Sequence, residues 1–153
     1  MRLVFYNQQS VTAQRAVVDV TVEVLADKET EAKVAVINYT DNRTECRKLI
    51  RLNKGLNKIP VSFTMKKPRL WWTNGLGEPF LYNFATTLEL DGKQIDITEE
   101  KLGIRSLKVI TAPDKYGESF YFELNGKPLF AKGANYIPCD NFLTRVTDSI
   151  YEK

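Results

Sequence analysis

Histidine is absent from the 153-residue sequence. That absence removes Ser–His–Asp and Cys–His catalysis, imidazole general-base chemistry and histidine metal sites. Cysteine is scarce too: Cys46 and Cys139 stand far apart with no CxxC or zinc-ligand spacing. Two cysteines do not make a disulfide scaffold, and two free, mostly buried thiols are expected. No apolar run approaches the roughly 18 residues of a membrane span, and residues 3–6 are too few for the core of a signal peptide. Charge of one sign is lacking as well. Lys and Arg total 22 against 19 Asp and Glu, a net of +3, which points away from nucleic-acid and membrane-surface partners. No residue pattern calls for a cofactor, and no window carries a convincing amphipathic helix. The chain reads as soluble, with its compartment left open.

Hydrophobic residues make up 43% of the chain, enough for a real core, and its length corresponds to about one domain. Their period is two. Val18, Val20, Val22 and Val24 alternate with polar or outward residues, as do Ile59, Val61, Phe63 and Met65. Tyr82, Phe84, Thr86, Leu88 and Leu90 form a third such set. Weaker strands are predicted over 31–39 and 46–52, the latter with Ile50 and Leu52 facing in and Arg47 and Arg51 facing out. Short polar connectors at 26–28, 40–42, 53–55 and 91–93 separate them. Several strands of similar length with tight turns predict an all-β, antiparallel sandwich of immunoglobulin type. The stretch 97–102 is left as strand or loop. Beyond it, 111–117 reads as a linker, and 120–124 and 127–131 as a hairpin closed by Asn125-Gly126. Asn-Gly suits a type I′ turn because both central residues need positive φ.

Few residues offer chemistry. Glu99 and Glu100 are adjacent, so on a strand they point to opposite faces and cannot flank one bond. Asp140 follows an apolar segment and Pro138; it is either an acid held at a strand end facing a cleft, or a turn or helix-cap aspartate. Trp71 and Trp72 stand beside a Gly-rich loop and either stack on a sugar ring or pack as structure. Gly75 and Gly77 lack phosphate-loop spacing. Arg43, Arg47, Lys48, Arg51, Lys54 and Lys58 read as a solvated, charged edge.

Residues 122–135 (FELNGKPLFAKGAN) resemble the signature of glycoside hydrolase family 2, where a sandwich domain passes into a TIM-barrel catalytic domain. Gly103-Ile104-Arg105 is similar to the segment that precedes this junction. Residues 70–82 (LWWTNGLGEPFLY) and 133–143 (GANYIPCDNFL) resemble the β-mannosidase branch, although Thr73 and Tyr136 depart from its usual proline and tryptophan. Exo-β-glucosaminidases of the same family are the alternative.

The resemblance implies an immunoglobulin-like sandwich over residues 1–110, and over 111–153 a hairpin and the first strand of a truncated barrel. Its activity would be retaining, exo-acting hydrolysis of terminal β-mannosyl residues. The two catalytic glutamates would lie on later barrel strands, so no catalytic residue is expected here and the chain alone should be inactive. Asn135 and Asp140 would reach the sugar in the intact enzyme, with Trp71 and Trp72 structural or bordering the pocket. The implied partners are an upstream jelly-roll sandwich, a downstream barrel and a mannoside, with no nucleic acid and no membrane. Exposed Leu129, Phe130 and Ile137 would favour self-association. A free-standing carbohydrate-binding or adhesion module is the reading from a different class.

Overall fold

The alternation seen in the sequence becomes the inner faces of two sheets. A computed structural model describes residues 1–135, 137 and 139–151. Seven strands build the sandwich: β1 (Leu3–Val11), β2 (Arg15–Ala26), β3 (Thr30–Asn38), β4 (Arg43–Leu52), β5 (Gly55–Lys66), β6 (Tyr82–Leu90) and β7 (Lys93–Leu102). One sheet has the order β1-β2-β5 and the other β4-β3-β6-β7, all pairs antiparallel. The chain therefore crosses between sheets at β2–β3, β4–β5 and β5–β6, the crossing pattern of an immunoglobulin-like sandwich.

Burial follows the period-two pattern on β2 and β5, while the central strands β3 and β6 are buried on both faces in their middle. Val18, Val20 and Val22 are buried on β2, Ile59, Val61, Phe63 and Met65 on β5, Val34 and Val36 on β3, and Phe84 and Leu88 on β6. Together they form one core between the sheets. Phe84 sits at its centre, in ring contact with Tyr6, Phe63 and Tyr82. The Tyr6 hydroxyl and Thr86 Oγ1 are 2.8 Å apart and tie the two sheets together; burial is the main force pushing the Tyr6 phenol up from its ordinary value. One buried amide, Asn38, is satisfied at the β3–β4 turn, donating to Asp41 and Glu45 and accepting the Asp41 N–H. Pro60 lies on the edge strand β5, where its missing N–H costs least, and its carbonyl accepts a bond from Lys48 across the corner to β4.

Two strands emerge where the residue pattern predicts none or leaves strand and loop open. Residues 3–11 form β1, and 93–102 form β7, which resolves the stretch 97–102 as strand. The stretch 111–117 is not a linker. It lies within β8 (Leu107–Asp114) and the turn into β9 (Gly117–Leu124). β10 (Lys127–Leu129) completes a third sheet of order β10-β9-β8. The expected Asn-Gly hairpin is present, with Leu124 opposite Lys127 and φ of 51° at Asn125 and 81° at Gly126. After β10 the described residues hold one 3₁₀ turn (Leu143–Arg145) and the short α1 (Asp148–Tyr151). The barrel strand expected around 136–138 falls at 136 and 138 outside the described residues. Cys46 is half-buried, which raises its thiol above the ordinary value, whereas Cys139 is exposed rather than buried.

Candidate functional site

Where the sandwich meets the third sheet, two indole rings, the cations over them and two side-chain amides form one joint. This end is sealed by residues 70–80, which leave β5 and return to β6. The indole of Trp71 packs closely against Gly103, where an added Cβ would stand 2.8 Å from its Cγ and Cδ1. Trp72 lies on Gly77 in the same way, at 2.7 Å. Each glycine is there because a flat ring approaches the backbone closely. Arg105 stands over the Trp71 ring at 4.7 Å and Lys127 over Trp72 at 5.1 Å. Arg69 covers Phe80 at 3.6 Å while pairing with Glu78 at 2.9 Å, and the Arg69 N–H donates to the hydroxyl of the buried Tyr82.

Two side-chain amides hold the segment between β7 and β8. Gln8, on the inner face of β1, donates from Nε2 to the Gly103 carbonyl at 3.0 Å and accepts the Arg105 N–H at 2.8 Å. Asn125, at the β9–β10 turn, accepts the Ser106 N–H at Oδ1 (2.8 Å) and donates from Nδ2 to the Trp71 carbonyl (2.9 Å). Between them Ile104 is fully buried in the sandwich core. The Trp71 N–H donates to the Ile104 carbonyl at 2.8 Å, closing the circuit.

The predicted site residues are divided between this joint and the segment after β10. Trp71 and Trp72 are half-buried parts of this joint. Asn135 is exposed in the irregular stretch after β10. Asp140 makes a local turn: its Oδ1 accepts the Phe142 N–H and the Arg145 Nη2, both at 2.7 Å. The Arg145 guanidinium, and after it the Phe142 N–H, hold the Asp140 carboxyl below the usual carboxylate range. Glu99 and Glu100 do lie on opposite faces of β7, opposite Ala85 and Phe84 respectively. Among the described residues no cluster of Cys, Asp or Glu side chains has the makings of a metal site. No helix among them is long and apolar enough to cross a membrane. Gln8 and Asn125 were not singled out as joint residues in the sequence. Asn125 carried a turn signal, but Gln8 meets its partners from far along the chain and leaves no local mark.

An immunoglobulin-like sandwich sealed by a tryptophan loop and continued by a hairpin sheet defines the class: the chain belongs to the glycosyl hydrolases family 2, whose family model matches residues 2–105. Within that family the curated relatives it matches include β-mannosidases. The chain is 42% identical over 93 residues to beta-mannosidase B of Aspergillus terreus, covering 61% of this chain and 11% of that protein. It is 41% identical over 97 residues to beta-mannosidase B of Emericella nidulans, covering 63% and 12%. Among solved structures, the beta-D-mannosidase of Dictyoglomus thermophilum superposes with a TM-score of 0.73 at 30% identity, over 97% of this chain and 18% of that one. An exo-chitosanase of Amycolatopsis orientalis shares the fold with the same TM-score, 0.73, at 23% identity, over 96% of this chain and 17% of that one. The chain spans roughly a tenth of the length of the curated relatives it matches.

Proposed function

We propose that this chain serves as the non-catalytic sandwich and junction of a retaining, exo-acting β-mannosidase, bracing the part of the enzyme that removes terminal β-mannosyl residues. The observation that carries the reading is the identity of about two residues in five to β-mannosidases over 93 residues, combined with a joint built to hold orientation rather than to react. A retaining site needs two carboxyls about 5–5.5 Å apart. The one adjacent pair of acids considered for that role, Glu99 and Glu100, faces two ways.

In the intact enzyme the segment after β10 carries Asn135 and Asp140 toward the sugar, where the Asp140 carboxylate accepts hydrogen bonds from sugar hydroxyls. Arg145 favours the ionised form of that carboxylate. The upstream and downstream domains of the enzyme are the partners of this chain, and residues 111–153 belong to the catalytic side of the boundary.

Incubating the purified chain with an aryl β-mannoside tests the reading. No release of the aryl group is expected, and turnover above the buffer rate would overturn it.

A further inference from the structure

We propose that Asn125 is the positioning residue that fixes the β8–β10 sheet, and the segment that leaves it, in one orientation against the sandwich; the proposal deepens the bracing role above. The turn itself asks only for positive φ, which glycine would supply at Asn125 as well as asparagine does. The side chain does something the turn does not need. Leu107 and Leu124 are the last paired residues at that end of the β8–β9 ladder. One step further, the Asn125 N–H donates to the Ser106 carbonyl in the ordinary way. The return bond, from the Ser106 N–H, goes to Asn125 Oδ1 because the backbone there has already turned into the left-handed region. The amide thus adds a rung to the ladder.

Its other end leaves the hairpin altogether. Asn125 Nδ2 donates to the carbonyl of Trp71, a residue on the loop that seals the sandwich. Trp71 is itself pinned by its N–H to the Ile104 carbonyl and by its ring on Gly103. Ile104 is a fully buried member of the sandwich core. One planar amide therefore connects the hairpin turn, the β7–β8 link and the sealing loop. Among side chains that tolerate left-handed backbone, only asparagine brings both a donor and an acceptor at this length. Ionised aspartate accepts only, and glycine does neither. Because Asn125 stands at the turn into β10, its tether sets the direction in which the chain runs on toward Asn135 and Asp140.

The test uses the full chain with Asn125→Gly and Asn125→Asp, read by backbone amide relaxation and residual dipolar couplings. In the wild type, the sandwich and the β8–β10 sheet should fit a single alignment tensor, with order parameters near the roughly 0.85 of rigid backbone. Asn125→Gly keeps the turn, so the cross-strand contacts between Leu124 and Lys127 should persist. The two bodies should then require separate tensors, with order parameters in the Arg105–Leu107 link falling toward about 0.6. Asn125→Asp retains the acceptor for Ser106 but loses the donor to Trp71. It should keep the Ser106 amide protected while releasing the common orientation. A single tensor in both variants would overturn the proposal, and so would loss of the hairpin itself in Asn125→Gly. Neither readout involves a sugar, so failure here leaves the glycosidase reading standing.

Discussion

Trp71 and Trp72 are neighbours in sequence, yet each rests on a different glycine, and that division of labour makes Gly103 and Gly77 the least replaceable small residues of the sealed end. A methyl at Gly103 would meet Trp71 Cγ and Cδ1 at 2.8 Å, and an indole held by Arg105 and by two backbone bonds has little room to yield. Overpacking of this kind costs about 1–3 kcal/mol. Gly103→Ala should therefore lower the urea midpoint by a corresponding amount while Gly133→Ala, with nothing within 4 Å, leaves it in place. Asp140 gives a second test at this scale. Its carboxyl is held below the usual range, first by Arg145 and then by the Phe142 N–H, so its ionised form favours the local turn. The turn is then intact above the unfolded carboxylate range and opens as pH falls through the depressed value. A side-chain NMR titration should place Asp140 below a free aspartate, and Arg145→Ala should move it upward; an unmoved midpoint would remove Arg145 as the cause.

The elements differ in how much of their surroundings they own. β6 lies inside the four-stranded sheet and buries Phe84 completely, whereas Phe120 on β9 is 70% exposed. Phe84→Ala should cost about 3–5 kcal/mol in denaturant unfolding, and Phe120→Ala should stay within about 0.5 kcal/mol. The same contrast explains which strands were legible in the sequence. β2 and β5 bury every second residue, and their alternation reads straight through to the core; β6, inside its sheet, is buried on both faces from Phe84 to Leu88, yet its large apolar residues still fall on alternate positions. β7 alternates the other way. Ile95 and Ile97 are exposed, while Asp96 and Thr98 sit on the more buried face, so its apolar residues gave no inward stripe. β1 is an edge strand whose polar run 7–10 includes Gln8, and that residue earns its place by bonds to Gly103 and Arg105, invisible in any local window. Pro113 and Gly117 made β8 and its turn look like a linker, because hairpin ends and linkers share the same residues. The Asn-Gly hairpin was legible because its signal is local; the tether from Asn125 to Trp71 was not, because it joins residues distant in sequence.

At the scale of the whole molecule, the sandwich is closed and the third sheet is not. The sandwich packs its apolar stripes against each other, and its edge strand β4 carries Arg43, Arg47, Lys48 and Arg51, which oppose edge-to-edge pairing. The β8–β10 sheet has one side bearing Leu107, Val109 and Phe120, each more than half exposed, with Phe122 in edge contact with Phe120. Just beyond β10, Phe130 is 81% exposed and Ile137 84%. Exposed apolar residues gathered on one side of a sheet mark an interaction face. A net charge of only +3 gives weak long-range repulsion between copies. The isolated chain should therefore self-associate with rising concentration, and sedimentation velocity should show its mean coefficient climbing across a dilution series. The double substitution Val109→Lys and Phe120→Lys adds charge to that face without touching the sandwich core, so it should return the chain to a single slow species with its unfolding midpoint retained. A wild type that stays monomeric throughout, or a charged variant that associates equally well, would place the attraction elsewhere than on this sheet.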